Sequence, residues 1–374
     1  MINVLQVSSD TNIGGAGKCI LTYLKHRDAK SFNVAVVLPA NSLLKPMVEA
    51  LGVRVFEVDA MADKSLDAKA VQKLLAVFRE FRPDIVHTHA SMSARIAARI
   101  YGAKIVYTRH SVFPPSPRLT KGIGKALCGL ANNVSADRII AVAEAAKQNI
   151  TDVGVDERKI DVVLNGVEPL RSFSPDEITA LRREYGVPDG YKCAAIVARL
   201  NEVKGHKYFV DAAEKVIKAG IKAKFFIAGT GDMADKIRAQ IVGHGLEKDV
   251  VMLGFLDNVE PLMNLIDVQV NCSFGTEATS LSLLEGMSLG KPAVVTDFGG
   301  NPGVISDGVN GYIVPVRNSD ALCDRLTRLF SDEQLYSEMC KNSKAVFAEN
   351  FTADKYAANI EEIYHSLGGK QNGK

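Results

Sequence analysis

Residues 276–305 read TEATSLSLLEGMSLGKPAVVTDFGGNPGVI, and this stretch decides the fold class. Thr279 or Ser280 is placed to cap a helix whose apolar positions are Leu281, Leu284 and Met287. The first turn of a helix carries free N–H groups and the positive end of the helix dipole, which together attract anions. The stretch therefore predicts a phosphate site in front of this helix.

Two glutamates flank the predicted phosphate site. Glu277 lies in the loop before the helix, and Glu285 lies inside it. Alone, each would more often be an ordinary solvated glutamate. Beside a phosphate site, however, one carboxylate before the helix and one within it are placed to accept hydrogen bonds from hydroxyl groups. Sugar hydroxyls on both sides of a phosphate describe a nucleotide sugar.

The residues after this helix indicate how it connects to the rest of the chain. Lys291 and Pro292 are followed by the apolar run 293–295 and then by a turn that contains Gly299 and Gly300. The order helix, strand, glycine turn is typical of parallel α/β folds. Ligands of such folds bind at the carboxyl ends of the strands.

Length and composition bound the class of protein. The chain has 374 residues, of which 47% are hydrophobic and 24% charged, so it suits two ordinary domains and is not a disordered protein. Its six cysteines show no metal-type spacing, and we expect reduced core residues. The start MINVLQVSS predicts a strand rather than a signal peptide, and no run of about 18 apolar residues suggests a membrane span. We therefore expect a cytoplasmic protein.

Two series of strand-like runs alternate with helical patterns. The first series lies at residues 3–7, 33–38, 54–58, 85–89, 104–108 and 138–142, and the second at 193–197, 224–227, 250–253, 268–271, 293–295 and 312–314. This organisation predicts two Rossmann-like, doubly wound parallel sheets in residues 1–168 and 169–350, with an interdomain cleft as the default binding site. A final helix capped by Thr352 should pack back on the first domain, and residues 368–374 should be a frayed tail.

A glycine turn follows the first strand. Residues 12–19, NIGGAGKC, miss the phosphate loop of nucleotide hydrolases, because Asn12 replaces a glycine and Cys19 replaces the hydroxyl residue that binds magnesium. The dinucleotide fingerprint is also out of register. Gly14 and Gly15 still let backbone N–H groups approach a ligand at a helix start, although a turn without a ligand is an open alternative.

Two cations follow the first strand of the second domain. Arg199 and Lys204, in ARLNEVKGHKYF, should lie at the same strand ends as the Glu277 helix and could balance a diphosphate. The chain contains no Asp-x-Asp, the usual carboxylate pair for a metal-bound diphosphate. We therefore expect cations and helix amides in place of a metal, and no cofactor.

Three of the seven histidines, His87, His89 and His110, lie at the ends of predicted strands in DIVHTH and IVYTRH. A single strand-end histidine is more often structural, but three on one rim favour a role in the cleft for at least one. No carboxylate or cysteine accompanies them, so a metal site is a minor alternative. With Arg109, His87 and His89 are the candidates for the acceptor side of the site.

Charge is distributed unevenly along the chain. Residues 1–168 hold 22 Lys or Arg against 16 Asp or Glu, and residues 85–136 contain seven basic side chains and no acid, which implies an anionic partner. Within this segment, RLTKGIGKALCGL sets apolar residues against Arg118, Lys121 and Lys125 at helical spacing. A packed helix is the common explanation of such a stripe, and a surface lying on anionic lipid is the second. Nucleic acid is disfavoured because aromatic residues are not interleaved with the basic ones.

Nearly the whole chain resembles the retaining glycosyltransferases of family 4, which have the GT-B architecture of two facing Rossmann-like domains. Most of the matching motifs are individually weak, but their order and spacing are specific. The resemblance rests on the turn at Gly14 and Gly15, TRH ending at His110, NGV at 165–167, RLNEVKG at 199–205, the pair Glu277 and Glu285, and GKP followed by Gly299 and Gly300.

The resemblance implies a role for each candidate residue. Arg199 and Lys204 would hold the donor diphosphate, Glu285 the ribose hydroxyls and Glu277 the hydroxyls of the transferred sugar, while His110 would face the reacting sugar. The amides near Ser280, Leu281 and Ser282, with Thr279, would add to the phosphate site. Ala278 stands where the family often has glycine, which leaves the donor sugar open.

The implied activity is metal-independent, retaining transfer of a hexosyl or N-acetylhexosaminyl group from a nucleotide diphosphate sugar, with UDP favoured. The acceptor would be a glycan, a lipid-linked or a small molecule, in glycan, polysaccharide or glycolipid biosynthesis. An anionic surface on the inner face of the membrane is a further expected partner, and nucleic acid is not. A nucleotide-sugar epimerase and a non-catalytic nucleotide-sugar-binding protein are the alternative functions.

Overall fold

The computed structural model describes residues 1–59, 61, 66–112 and 114–368. Contacts divide the chain into unit 1, which comprises Met1–Gly166 together with the residues from Ala353 onward, and unit 2, Val167–Thr352. The sequence placed the boundaries after residues 168 and 350. The difference arises because the Val167 amide donates a 3.0 Å hydrogen bond to the Phe351 carbonyl, and Val167 also pairs with Thr352. These contacts tie both ends of unit 2 together.

Unit 1 is built around a seven-stranded parallel sheet. Its strand order is β3-β2-β1-β4-β5-β6-β7. The strands are β1 (Ile2–Ser8), β2 (Phe32–Leu38), β3 (Arg54–Glu57), β4 (Ile85–His89), β5 (Lys104–Arg109), β6 (Arg138–Ala141) and β7 (Ile160–Val162). Its first helices are α1 (Gly15–His26), α2 (Lys45–Ala50), α3 (Ala68–Phe81), α4 (Met92–Tyr101), α5 (Gly122–Ser135) and α6 (Glu144–Asp152).

Unit 2 repeats the plan with a six-stranded parallel sheet. Its strand order is β10-β9-β8-β11-β12-β13. The strands are β8 (Lys192–Val197), β9 (Ala223–Ala228), β10 (Val250–Gly254), β11 (Val268–Asn271), β12 (Ala293–Thr296) and β13 (Gly311–Val314). The helices are α7 (Pro175–Glu184), α8 (His206–Lys218), α9 (Ala234–Gly243), α10 (Glu260–Leu265), α11 (Leu281–Ser288), α12 (Ser319–Ser331) and α13 (Glu333–Asn350).

The last helix, α14 (Ala353–Gly368), belongs to unit 1. Tyr356, Ile360 and Tyr364 are at most 4% exposed, and the ring of Tyr364 packs edge-on against Tyr23 of α1. Gly368, which the sequence placed in a frayed tail, is the last residue of this helix, and the rest of the expected tail, 369–374, lies outside the described residues.

The strands form where the sequence places apolar runs. A parallel sheet covered by helices on both faces buries both sides of its strands, so the strands are apolar throughout rather than alternating. The run of β2, FNVAVVL, is buried from its third residue to its last. All twelve predicted strands are present, and β7 is the added one. Its three residues are too short a run to stand out before the turn at 165–166.

Both sheets reverse their strand order at one point, and this fixes where ligands bind. In unit 1 the reversal lies between β1 and β4, and in unit 2 between β8 and β11. Loops on either side of such a point diverge and leave a crevice at the carboxyl ends of the strands. Within the part of the chain that the structure describes, no helix is both long and apolar enough to cross a bilayer.

Candidate functional site

The predicted phosphate loop of unit 2 lies at the reversal point of its sheet. β8 ends at Val197 and is followed by Arg199 and Lys204, and β11 ends at Asn271 and is followed by the loop that contains Glu277. Because β8 and β11 are paired neighbours, the two loops leave the sheet side by side. The fold thus brings together residues that are more than 70 positions apart in the sequence.

A glycine locks these two loops together. Gly205, which separates Lys204 from helix α8, has a φ of +70°, a conformation that side chains rarely adopt. A Cβ added there would lie 2.1 Å from the carbonyl oxygen of Cys272, the residue after β11. Any side chain at this position would push the loops apart, so Gly205 sets the position of Lys204.

Glu277 is buried and held by three donors. Its Oε2 accepts hydrogen bonds from the Lys204 ammonium at 2.8 Å, the Asn271 amide at 2.9 Å and the Ser273 hydroxyl at 2.8 Å. The residue is 8% exposed. All three donors reach one oxygen, and Oε1 lies outside this cluster. The sequence analysis missed Asn271 and Ser273, although Asn271 ends a buried strand and Ser273 follows it closely, which was a usable signal.

The ion pair gives Lys204 a partner that the sequence does not predict, and it distinguishes the two cations expected to balance a diphosphate. Lys204 is paired with Glu277, so the pair has no net charge. The ammonium also donates to the Thr276 carbonyl at 3.2 Å, which leaves one of its three N–H donors. Arg199 is exposed, and its guanidinium has no partner among the described residues. Arg199 therefore supplies the unbalanced positive charge of this site.

The start of α11 differs from the sequence expectation in its capping. Ser280 occupies the N-cap position, but its side chain does not cap the helix. Its hydroxyl lies 3.1 Å from that of Ser282, which donates to the Val197 carbonyl at the end of β8. Thr279 is buried, and Leu281 is the first residue of the helix. The Ser280 hydroxyl therefore does not accept from the N–H groups of the first helical turn, which another acceptor can bind.

The glycine pair after β12 supports Glu277 from the other side. Gly299 has a φ of +62°, and a Cβ there would lie 2.1 Å from the Glu277 carbonyl oxygen. The Gly300 amide donates to the same oxygen at 3.2 Å. The main chain of Glu277 is thus fixed as firmly as its carboxylate.

Glu285 lies farther along, on α11, where it is half-buried, and its carbonyl oxygen accepts a hydrogen bond from the Ser288 hydroxyl.

At the reversal point of unit 1, the glycine turn follows β1, His87 and His89 lie on β4, and His110 follows β5. Gly14 is the N-cap residue of α1, and a Cβ at Gly15 would have open space around it. The fold therefore does not itself require a glycine at Gly15, and the space beside that helix start stays open. On β4, His87 pairs in register with Gln6 of β1, and His89 pairs with Ser8.

The three histidines form part of one run of hydrogen bonds, which we call the histidine chain. It runs from His110 through His89, Gln6, Tyr364 and His87 to Thr108. The successive distances are 2.7 Å (His110 Nε2 to His89 Nδ1), 2.6 Å (His89 Nε2 to Gln6 Oε1), 2.8 Å (Gln6 Nε2 to the Tyr364 hydroxyl), 2.6 Å (Tyr364 hydroxyl to His87 Nδ1) and 2.6 Å (His87 Nε2 to Thr108 Oγ1).

This chain corrects the acceptor-side assignment of His87 and His89. Both are at most 5% exposed, and all four of their ring nitrogens are engaged inside unit 1. Neither has a nitrogen left for a substrate. His110 is half-buried, and its Nδ1 has no partner among the described residues. Arg109 precedes it, with a buried Nε that is also unpartnered in the described part of the chain.

Burial keeps these imidazoles neutral. Desolvation lowers the pKa of His110 to about 4 and that of His87 to about 3, and it holds the pKa of His89 well below its usual value.

Among the described residues, no group of three or more His, Cys, Asp or Glu side chains is arranged to hold a metal ion.

The basic stripe of unit 1 lies on α5, and the structure shows that its apolar side is not packed. Ile123 is 79% exposed, Leu127 62%, Leu130 61% and Val134 57%. These positions recur at helical spacing and form one face, so the packed-helix interpretation is wrong. With Ile96 and Ile100 of α4, this face borders an apolar groove of about 580 Å³. Arg118 and Lys121 are exposed nearby, and Lys125 is half-buried.

Comparison with known proteins agrees with this architecture. Residues 13–171 match the model of Glycosyltransferase Family 4, and residues 177–346 match that of Glycosyl transferases group 1. The N-acetyl-alpha-D-glucosaminyl L-malate synthase of Bacillus anthracis is 27% identical over 82% of this chain and 81% of its own length. A UDP-Gal:alpha-D-GlcNAc-diphosphoundecaprenol alpha-1,3-galactosyltransferase of Escherichia coli is also 27% identical, over 80% and 79%.

Solved structures show the same fold. The structure of Anabaena Alr3699/HepE in complex with UDP and glucose superimposes with a TM-score of 0.84 at 23% identity, over 98% of this chain and 100% of that one. A glycosyltransferase from Rickettsia africae ESF-5 superimposes with a TM-score of 0.86 at 19% identity, over 99% of each chain. With both halves matched by glycosyltransferase models, the chain belongs to the family-4 glycosyltransferases of GT-B fold.

Proposed function

We propose that this glycosyltransferase moves a hexosyl or N-acetylhexosaminyl group from a UDP-sugar to an acceptor hydroxyl with retention of anomeric configuration and without a metal ion. The observation that carries the proposal is the arrangement at the reversal point of unit 2. There the loop after β8 carries Arg199, whose guanidinium has no partner among the described residues, and Lys204, which keeps one uncommitted N–H. The neighbouring loop leads into α11, whose N-cap side chain makes no capping hydrogen bond, and these groups together would bind a diphosphate. UDP-Gal is named for a similar galactosyltransferase, and UDP and glucose for a similar solved structure, which supports this donor class.

Cleavage of the bond between the anomeric carbon and the phosphate develops negative charge on the leaving diphosphate. Fixed donors aimed at that charge stabilise the transition state, and the removal of one such donor from other enzymes costs about 3–4 kcal/mol. Arg199 is suited to this role because its planar fork can bind two phosphate oxygens at once. Lys204 is suited because Glu277 and Gly205 hold it in place before any ligand arrives.

The two glutamates would recognise the sugars. Oε2 of Glu277 is saturated by its three donors, whereas Oε1 is left to accept hydroxyl groups of the transferred sugar. Glu285, half-buried on α11, would accept the ribose hydroxyls. Because Glu277 is fixed through both its side chain and its carbonyl, it would select the sugar by orientation as well as by charge.

Retention would follow from attack on the face that the phosphate leaves. The acceptor oxygen forms the new bond to the anomeric carbon as the bond to the phosphate oxygen breaks. The proton of the acceptor hydroxyl passes to that phosphate oxygen. Because entry and departure use the same face, the anomeric configuration is preserved.

A screen of nucleotide diphosphate sugars tests the donor. UDP-, GDP- and ADP-sugars are compared by thermal shift, where a true ligand at 100 times its dissociation constant adds about 2.7 kcal/mol to stability. Incubation of the shifted donor without an acceptor then separates transfer from epimerisation. A new epimeric nucleotide sugar would favour the epimerase alternative. A stable complex that gives neither hydrolysis nor transfer with any acceptor would favour a non-catalytic binding protein.

The apolar face of α5 supports a second part of the proposal, that the protein lies on an anionic membrane surface where a lipid-linked acceptor would be reached. Four exposed aliphatic side chains lie along one helix face, and Arg118, Lys121 and Lys125 have no ion-pair partner among the described residues. In an interfacial helix, apolar side chains enter the boundary of the bilayer and neighbouring cations contact the anionic headgroups. Helix α5 has this composition.

Cosedimentation with vesicles tests this part. We expect the protein to bind vesicles that contain phosphatidylglycerol. Lys121→Glu with Lys125→Glu should lower that binding at least tenfold, and Ile123→Ser with Leu127→Ser should do the same. The matched control, Lys69→Glu with Arg79→Glu on α3, makes the same charge change and should retain binding. Parent protein that stays in the supernatant would end the membrane proposal and would leave the donor chemistry untouched.

A further inference from the structure

The hydrogen bonds of the histidine chain all run in one direction, and Gln6 sets that direction. A side-chain amide has one oxygen, which only accepts, and one nitrogen, which only donates. The Gln6 oxygen faces His89 Nε2 at 2.6 Å, so this nitrogen carries the proton of His89. Nδ1 of His89 must then be the acceptor, and His110 Nε2 donates to it across 2.7 Å.

The same logic orders the other half of the chain. The Gln6 nitrogen donates to the Tyr364 hydroxyl at 2.8 Å, so the hydroxyl hydrogen is free to point at His87 Nδ1. His87 then carries its proton on Nε2 and donates it to Thr108 at 2.6 Å. Each of these hydrogen bonds then joins one donor to one acceptor, and each ring is neutral. A buried run of linked hydrogen bonds of this kind is rigid.

We propose that Gln6 and Tyr364 are positioning residues that hold His110 as a neutral imidazole protonated on Nε2, so that its unprotonated Nδ1 is presented as a hydrogen-bond acceptor to the substrate. This inference rests on the proposed function and on the expectation, from the family resemblance, that His110 faces the reacting sugar. It goes further by assigning roles to two residues outside the family motifs, one on the first strand and one on the last helix.

The proposed state of His110 suits the reaction. Positive charge develops on the sugar ring as the phosphate departs, and an imidazolium beside it would oppose that charge. A neutral ring with an outward lone pair instead accepts a hydrogen bond from a sugar or acceptor hydroxyl. A histidine held in the wrong tautomer would present an N–H at the same place and lose that contact.

The position of Tyr364 links the two ends of unit 1. Tyr364 lies on α14, is fully buried, and is 358 residues from Gln6 in the sequence. Its ring also packs against the His87 ring, with centroids 5.7 Å apart. The docking of the last helix therefore completes the chain that ends at His110. The packing of this helix on unit 1 therefore affects the orientation of His110 as well as the hydrophobic core.

Nitrogen NMR on protein labelled at histidine tests the inference without any assay of activity. In the parent protein at pH 7, the long-range couplings of His110 should show Nε2 protonated and Nδ1 unprotonated. Tyr364→Phe removes the hydroxyl that accepts from the Gln6 amide nitrogen, and Gln6→Leu removes the amide itself. In both variants His110 should become a mixture of tautomers. His110 protonated on Nδ1 in the parent protein would overturn the inference.

Steady-state kinetics test whether this positioning matters. Tyr364→Phe should lower kcat about tenfold while the dissociation constant for UDP stays within twofold, because unit 2 is unchanged. The matched control is Tyr23→Phe, which removes a buried hydroxyl with no partner among the described residues from the ring that packs against Tyr364. This control should keep the parent rate. A Tyr364→Phe enzyme with the parent kcat would overturn the positioning role.

The NMR and kinetic experiments together distinguish a failure of this inference from a failure of the proposed function. A parent protein with the expected His110 tautomer and no transfer to any acceptor would contradict the proposed function and leave the hydrogen-bond assignment standing. If Tyr364→Phe fails to fold, as judged by its melting transition, Gln6→Leu provides the second variant. The tautomer of the parent protein decides the assignment in every case.

Discussion

The Lys204 ammonium lies 2.8 Å from Oε2 of Glu277; the glutamate is buried and the lysine half-buried. The pair joins the loop after β8 to the loop after β11 across the reversal point of the unit 2 sheet. One group of this pair is suited to phosphate and the other to sugar hydroxyls. The pairing therefore orients both before a ligand binds, and its removal should affect folding and catalysis by different amounts.

Replacement of Lys204 should separate these two effects. Lys204→Ala leaves the Glu277 charge with only neutral donors, so we expect a loss of about 1–3 kcal/mol in unfolding free energy. Turnover should fall by at least two orders of magnitude. Adding Glu277→Gln should restore most of the stability, as measured by urea unfolding, without restoring the rate. Recovery of both would make Lys204 a structural residue only, and Lys207→Ala, an exposed neighbour, is the control.

Arg199 should behave differently, because it has no partner to lose in the described structure. We expect Arg199→Ala to leave the unfolding free energy within about 0.5 kcal/mol, as is usual for an exposed side chain. Its turnover should nevertheless fall about a hundredfold or more, because the unbalanced cation beside the leaving diphosphate is gone. Arg238→Ala, another exposed arginine of unit 2, should keep the parent rate. Near-normal turnover in Arg199→Ala would remove Arg199 from the mechanism.

Glu285 should contribute to donor affinity more than to rate. Glu285→Ala removes an acceptor for the ribose hydroxyls, and hydrogen bonds to charged groups are worth about 1.5–3 kcal/mol. We therefore expect the dissociation constant for UDP to rise about tenfold or more in calorimetry, with kcat changed less than threefold. Glu338→Ala on α13 is the control. An unchanged affinity would exclude the ribose role.

The neutral histidines should make unit 1 sensitive to acid. Burial places the pKa values of His87, His89 and His110 below that of an unfolded histidine, about 6.5, so the unfolded state binds more protons. The contribution of these neutral histidines to folding stability is therefore complete above pH 6.5 and is lost as the pH falls toward 4. Three protons correspond to about 4 kcal/mol per pH unit within this window.

Urea unfolding from pH 7 to 4.5 measures that slope. His110→Gln should reduce the proton uptake on unfolding by about one. The carboxylates with lowered pKa, such as Asp156 at about 2, contribute only at lower pH. Stability of unit 1 that does not change across this range would show that these rings are not held neutral.

The sheet could be predicted from sequence because buried parallel strands are continuous apolar runs. The loop residues Arg199, Lys204 and Glu277 could be predicted because they directly follow such strands. The contact between Lys204 and Glu277 could not, because 73 residues separate them and the turn at Gly205 decides their distance. The contact of the Tyr364 hydroxyl with His87 could not be predicted either, because nothing in the local sequence of the last helix indicates it.

The stripe on α5 shows a different limit. A helical period of apolar residues indicates an apolar face but not what covers it, because a packed face and an exposed one have the same spacing. Ile123 and Leu127 follow the period of a core helix and are nevertheless largely exposed. Only the positions of the neighbouring elements distinguish the two cases.

Calorimetric titration of UDP in the presence of EDTA tests the central claim most directly, which is that protein cations and the start of α11 hold the diphosphate without a metal ion. We expect UDP to bind the parent protein equally well with EDTA and with magnesium or manganese, and at least tenfold more weakly to Arg199→Ala. Binding that disappears with EDTA and returns only with a divalent ion would contradict the account.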